Sequence, residues 1–250
     1  KAGEEEDHIP FFVHPKKGTA TAPLLFLIPT ASYLAYANFH SLARPEAKEQ
    51  MRRLSKLPDF EYPVSPQDKY MVDVPLNSLY DRHTDGSGVC YSSRLRPIVN
   101  MRPRYRFPVL AGGTSAPHQF PADLHLADWL EKKGHQFDVA TDEDLHLEGS
   151  ELLKRYSTIV TGSHPEYWSR QMLDAMEEYL AGGGRLMYLG GNGFYWVTSF
   201  GGPERPHVVE IRRWRGTRWH SVAHDHNRMV ARPAGGETAL GARACPHPRP

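Results

Sequence analysis

A chain of 250 residues that is 40% hydrophobic is long enough to bury a real core and too apolar to stay disordered. The net charge of +1, with no sustained basic stripe before residue 211, argues against nucleic acid as the main partner. The longest apolar run, Leu24 to Ile28, is far too short to span a bilayer, and two isolated cysteines, Cys90 and Cys245, make neither a disulfide framework nor a thiolate zinc site. The default reading is a cytoplasmic protein with no membrane partner, in which any metal has oxygen or nitrogen ligands.

Residues 1–22 read as an irregular lead-in, and Leu24-Leu25-Phe26-Leu27-Ile28 as a central strand ended by Pro29. Tyr33 and Tyr36 then lie just beyond that strand's carboxyl end. Residues from about 41 to 118 read as an insertion, because Pro45, Pro58, Pro63 and Pro66 oppose long regular elements. Within it, Ser78 to Gly88 is a turn-rich loop carrying Tyr80, His83 and Asp85, and Ile98 to Arg106 is basic, proline-broken and expected on the surface. From Phe120 to Lys133, the spacing of Leu124, Leu126, Trp129 and Leu130 predicts an amphipathic helix capped by Gly134. Phe137 to Ala140 is a short strand, and Asp142-Glu143-Asp144 is suited to start the next helix.

Tyr156 to Val160 predicts a strand covered on both faces, and Met172, Met176, Tyr179 and Leu180 a helix stopped by Gly182-Gly183-Gly184. Arg185 to Leu189 follows as the next strand, and Val208 to Ile211 as a last one. Alternation of helix and strand between residues 120 and 190 implies right-handed parallel crossovers: an α/β domain over 23–211 with a doubly wound, mostly parallel sheet flanked by helices. Residues 212–250 lack periodicity and read as an irregular tail. A start without Met and a Pro-, Gly- and Arg-rich end are what a piece of a longer chain would show.

Ligands of such sheets collect beyond the strands' carboxyl ends, and there the chain carries Thr161-Gly162-Ser163-His164-Pro165-Glu166-Tyr167-Trp168. An imidazole and a carboxylate two residues apart suit metal ligation or acid/base work. The same residues also suit a helix start, with Ser163 as N-cap, Pro165 at N1 and Glu166 in the first turn. Tyr36 and Tyr80 have two readings as well: phenolate ligands of a hard trivalent cation, or packed rings with their hydroxyls bonded nearby. Gly190-Gly191-Asn192-Gly193 resembles a strand-to-helix elbow in which Asn192 either donates to an oxyanion or simply occupies a left-handed turn. His83 and Asp85 fit an ordinary Asp-Gly turn, His220, His224 and His226 have metal-compatible spacing without a supporting element, and Gly112-Gly113-Thr114 is too short for a phosphate loop.

Four blocks taken in order, Thr30 to Asn38, Ser78 to Gly88, Thr161 to Tyr167 and Gly190 to Gly193, resemble the large (beta) subunit of N,N-dimethylformamidase over residues 20 to 211. The resemblance implies a domain similar to class I glutamine amidotransferases, flavodoxin-like in winding, and a mononuclear Fe(III) held by two phenolates and a glutamate. Carried over, Glu166 is the carboxylate, Tyr80 one phenolate and Tyr36 the other, with Tyr33 as fallback. His164 and Asn192 then handle the proton and the oxyanion. The implied reaction is hydrolysis of a small amide such as N,N-dimethylformamide, with a small partner subunit and a homo-oligomer as the implied assembly. The alternative is a non-catalytic amidotransferase-like domain that binds a small molecule or a partner subunit. A nucleophilic amidotransferase mechanism is disfavoured, because the elbow carries Asn192 in place of Cys.

Overall fold

The computed structural model describes residues 6–40, 49, 65–74, 76–107 and 116–211. The expected tail with His220, His224, His226 and Cys245, Gly112 to Thr114, and residues 41–64 of the expected insertion (Glu49 apart) lie outside the described residues.

The architecture is α/β, built on a four-stranded parallel sheet flanked by helices. Its centre is β1 (Leu24–Ile28), with β5 (Phe137–Thr141) on one side and β6 (Thr158–Thr161) on the other, followed by β8 (Arg185–Met187). All three pairings are parallel, and Leu27 lies opposite both Ala140 and Thr161. The continuous apolar run of β1 is what a strand covered on both faces requires. Leu25, Leu27 and Ile159 pack on one face against α4 (Asp142–Glu148), α5 (Ser150–Leu153) and α6 (Arg170–Ala181). Phe26, Ile28 and Val160 pack on the other face with Tyr33 and with Leu130 of α3 (Phe120–Lys132).

The strand order β5-β1-β6-β8 reverses direction between β1 and β6. Chain leaving the carboxyl ends of these two strands therefore diverges around a crevice, the usual ligand position in such sheets. From β1 it enters α1 (Thr30–Ala35), which is buried from Ala31 to Ala35. From β6 it enters the Gly162 to Glu166 loop.

Three expectations about these elements are corrected. Ser163, Pro165 and Glu166 do not start a helix; α6 begins at Arg170, and Ser169 Oγ accepts a bond from the Met172 N–H at 3.3 Å. The chain instead stays extended as β7 (Tyr167–Trp168), paired in parallel with β9 (Trp196–Val197), so the cap is displaced along the chain. Ile98 to Arg106 is not a surface loop throughout: Asn100 and Arg102 are buried, and Arg102 Nη2 pairs with Asp68 Oδ1 of α2 (Pro66–Asp73) at 2.7 Å, which makes its burial tolerable. On α3 and α6, Leu124, Trp129 and Leu180 are exposed. Their helices bury narrower stripes, through Leu130 on α3 and through Met172, Ala175, Met176 and Tyr179 on α6.

The expected last strand is observed as β11 (Arg205–Glu210), which belongs to a separate antiparallel sheet between β10 (Ser199–Gly201) and β2 (Tyr91–Ser93). Its Val209, with Ile211 just beyond it, packs on Ala31, Leu34 and Tyr167, so this second sheet backs the helix and the loop at the crevice.

Two glycines are dictated by close approach. A Cβ on Gly162 would lie 2.5 Å from Pro29 Cδ and 2.8 Å from Asp123 Oδ2, and one on Gly190 would lie 2.5 Å from Pro165 Cδ. The Gly162→Ala variant is expected to lose roughly 1–3 kcal/mol of stability through overpacking at the junction of β1 and β6, read as a lower urea midpoint at unchanged slope.

Candidate metal centre

Each candidate is placed by its own piece of backbone. Tyr36 is the C-cap residue of α1. Its carbonyl accepts from Asn100 Nδ2 at 2.8 Å, and Asn100 Oδ1 accepts from the Asn38 N–H at 2.8 Å, while Asn38 Nδ2 donates to Pro97 O at 2.7 Å. Asn38 can serve here because it tolerates the left-handed φ of 61°. Tyr80 rides on a turn closed by Asp81, whose Oδ2 accepts from the Ser78 N–H and Oγ, both at 2.7 Å. That turn is tied to α1 by the Leu79 N–H donating to Ala35 O at 3.1 Å.

Glu166 is fixed at both ends of its peptide unit. Its N–H donates to Ser32 Oγ at 3.1 Å and to His164 O at 2.9 Å, and its carbonyl accepts from the N–H groups of Tyr195 and Trp196 at 3.0 and 2.8 Å. Asp123, reaching in from α3, accepts from the Ser163 N–H at 2.5 Å and from the Tyr33 hydroxyl, so it joins the loop that follows β6 to the helix that follows β1.

The side chains meet at one atom. Glu166 Oε2 accepts from Tyr36 Oη at 2.9 Å and Tyr80 Oη at 3.4 Å, and lies 3.0 Å from His164 Nε2. Tyr80 Oη donates to Tyr36 Oη at 2.6 Å and is also in hydrogen-bond contact with Tyr167 Oη. The Tyr36 and Tyr80 rings stack with centroids 4.4 Å apart. Glu166 and Tyr167 are buried, while Tyr36, Tyr80 and His164 are partly exposed and form the open side.

Burial pushes the Tyr36 phenol well above its ordinary value, with Tyr80, Tyr167 and Glu166 adding to the effect. In the absence of a cation this hydroxyl keeps its proton. A trivalent cation among the same oxygens reverses that balance, because it replaces phenolic protons as the positive partner. Among the described residues there is no cluster of three or more His, Cys, Asp or Glu able to hold a metal, so a metal at this point has to use the phenols. An all-oxygen set of phenolates and one carboxylate matches a hard cation such as Fe(III).

Tyr33 stands apart from this cluster. Its ring packs on the opposite face of the sheet with Phe120 and Phe12, and its hydroxyl is engaged by Asp123. Asn192 is also outside the hydrogen-bonded group; it is exposed at φ 52°, a left-handed turn. The neighbouring Gly191 N–H donates to Ser163 O at 3.1 Å, which sets the elbow against the His164 loop. His83 is exposed, and Asp85 accepts from the Ser87 N–H and Oγ at 2.8 and 2.6 Å as an ordinary turn.

Sequence reasoning missed two members of the site. Tyr167 lies inside the recognised block, and its place beside Glu166 on an extended segment was the available signal. His118 gave none: its ring stands 5.3 Å from Tyr36 and 5.4 Å from His164, and burial beside His164 pushes its pKa down to about 3.

Beneath the crevice, Asp142 Oδ2 accepts from the Ala31 N–H at 2.9 Å, while its Oδ1 is buried without a partner among the described residues. Burial raises the pKa of Asp142 well above the ordinary range and raises that of Asp123 as well. The folded chain therefore holds these protons where the unfolded chain, with aspartates near pKa 3.9, has released them, and stability falls as pH rises through that window. Asp142→Asn is expected to flatten the decline that sets in as pH rises above about 4, measured as urea midpoint against pH.

Over residues 1–238 the chain matches the family described as N,N-dimethylformamidase beta subunit-like, C-terminal. It is 42% identical over 246 residues to an N,N-dimethylformamidase beta subunit of Alcaligenes sp, covering 96% of this chain and 31% of that protein. It is likewise 42% identical over 247 residues to the N,N-dimethylformamidase beta subunit of Paracoccus aminophilus, covering 97% of this chain and 31% of that one. The chain thus spans about a third of the length of these relatives. Among the described residues no helix is long and apolar enough to cross a membrane. With 42% identity across nearly its whole length and a family model matched over 238 residues, the chain belongs to the N,N-dimethylformamidase beta subunit-like, C-terminal family.

Proposed function

We propose that this chain is the iron-holding part of an amidohydrolase that cleaves a small amide such as N,N-dimethylformamide to an amine and a carboxylate. The observation that carries this reading is the convergence of Tyr36, Tyr80 and His164 on Glu166 Oε2, at 2.9, 3.4 and 3.0 Å. Two phenol oxygens and one carboxylate oxygen already lie within bonding distance of one another. In this reading Tyr36, Tyr80 and Glu166 are the ligands of one Fe(III), in a glutamine amidotransferase-like domain. The relatives' name, beta subunit, supports a place beside a partner subunit, and a homo-oligomer and a cytoplasmic location belong to the same reading.

Bound there, ferric iron supplies a Lewis acid for the amide carbonyl and acidifies coordinated water. The chain's own residues do the rest. Loss of the phenolic protons of Tyr36 and Tyr80 balances the metal's charge inside a partly desolvated site. His164 Nε2, held at 3.0 Å from Glu166, takes up a proton and delivers it to the departing amine. Asn192 offers its side-chain amide to the oxyanion from the exposed elbow, a role worth roughly 3 kcal/mol where such donors have been removed elsewhere. Cys90 is a free, partly exposed cysteine whose Sγ lies 3.6 Å from Gly88 O.

Metal analysis and the visible spectrum test the reading. Protein purified from iron-replete cells is expected to be coloured by phenolate-to-iron charge transfer. Tyr36→Phe, Tyr80→Phe and Glu166→Ala are each expected to lose at least about nine-tenths of the iron, roughly 1.4 kcal/mol or more of affinity, while Tyr33→Phe keeps it. Iron content undiminished in the first three variants overturns the ligand assignment, and a colourless, iron-free wild type favours a non-catalytic binding domain.

A further inference from the structure

His118 and Gln119 break local rules at the start of α3. Gln119 is the N-cap residue, yet its side chain caps nothing, and its backbone sits at φ 58° and ψ −126°, a region expensive for any residue with a Cβ. Such strain costs on the order of 1–3 kcal/mol and persists where the surroundings impose it, commonly at functional sites. The Gln119 side chain is buried, with an Oε1 that has no partner among the described residues, while its Nε2 lies 3.1 Å from His118 Nε2.

An amide nitrogen has no lone pair to offer, so it is the donor, and His118 Nε2 must be the acceptor. That fixes the tautomer with the hydrogen on Nδ1. Among the described residues Nδ1 forms no hydrogen bond. The ring itself stands edge-on to Tyr36 and His164 and 5.0 Å from Phe107, on the partly exposed side of the cluster.

We propose that His118 is a further substrate-contacting residue of this site, whose Nδ1–H donates to the carbonyl oxygen of the bound amide, with Gln119 as the positioning residue that sets its tautomer. The chemistry selects for the substrate class. A fully N-substituted amide has no N–H to donate, so its only polar handle is an acceptor oxygen, and the site must greet it with donors. His118 brings one from the start of α3, as Asn192 does from the elbow. The flanking Phe107 and Tyr36 rings offer apolar surface for N-alkyl groups.

This proposal rests on the iron reading above, and the test separates the two. In the iron-loaded protein, His118→Phe is expected to keep the iron and the visible band and to lower kcat for N,N-dimethylformamide about 100-fold, the loss typical of one oxyanion donor. Affinity, read from perturbation of the band by added amide, is expected to fall less than kcat. His118→Asn, which places an amide near the Nδ1 position, is expected to restore part of the loss; His118→Gln, which reaches only the Nε2 position, is not. Gln119→Leu is expected to fall between wild type and His118→Phe. Wild-type kcat in His118→Phe, equal rescue by Asn and Gln, or loss of iron in His118→Phe overturns the role of His118 and leaves the iron reading standing. A colourless wild type overturns both.

Discussion

The pairing of β1 with β6 is the constraint on which the site depends. Leu27 opposite Thr161 fixes how far each strand runs, and so where the two chains leave the sheet. Both exits are crowded enough that no side chain fits at Gly162, which lies against Pro29. From there α1 carries Tyr36 forward and the loop carries Glu166 back, and their oxygens meet at 2.9 Å. A one-residue slip in this register would turn Ile159 and Val160 to the wrong faces, and it would move Glu166 away from Tyr36. Core and site therefore share a single determinant.

Holding so many oxygens together has a cost that the surroundings must offset. Carboxylate and phenol oxygens at these distances repel unless protons or a cation lie between them. In the structure the protons do this: Tyr80 donates to Tyr36, and Tyr36 to Glu166. The backbone cannot relax away, because Glu166 is held through Ser32, Tyr195 and Trp196, and Tyr36 through Asn100. The result is a preorganised set of oxygens whose charge depends on what lies between them. In the proposed reading, this arrangement presents phenols, which ordinarily ionise near pH 10, to a metal at neutral pH.

Much of this was legible in the sequence, and the reasons differ by element. The strand Leu24 to Ile28 announces itself because a strand buried on both faces has to be apolar throughout. The β6 strand and α6 follow from periodicity, whereas position past strand ends or in a turn-rich loop only singled out Tyr36, Tyr80, His164 and Glu166, each with an ordinary packing or capping reading beside it, and the family resemblance is what grouped them. The helix start was misplaced because Ser163-Pro165-Glu166 is a good cap pattern locally, whereas Ser169 lacks an acidic residue three positions on and has Met172 there instead. Nothing local revealed that Tyr167 and Trp168 would pair with Trp196 and Val197, which depends on chain nearly thirty residues away. Buried Arg102 escaped for a similar reason, since its partner Asp68 lies thirty-four residues earlier.

The displaced cap also explains how one short segment serves two purposes. Had Ser163 capped the helix, Glu166 would sit in its first turn, and its carboxylate would be drawn toward free N–H groups there. With Ser169 taking that duty, the residues between stay extended. Their N–H and C=O groups are satisfied by Ser32, by the elbow and by the β9 segment. The Glu166 side chain then faces the phenols and His164 in place of a helix N-terminus. Separating the cap from the carboxylate by three residues is thus what lets the chain both start α6 and keep an acid for the crevice.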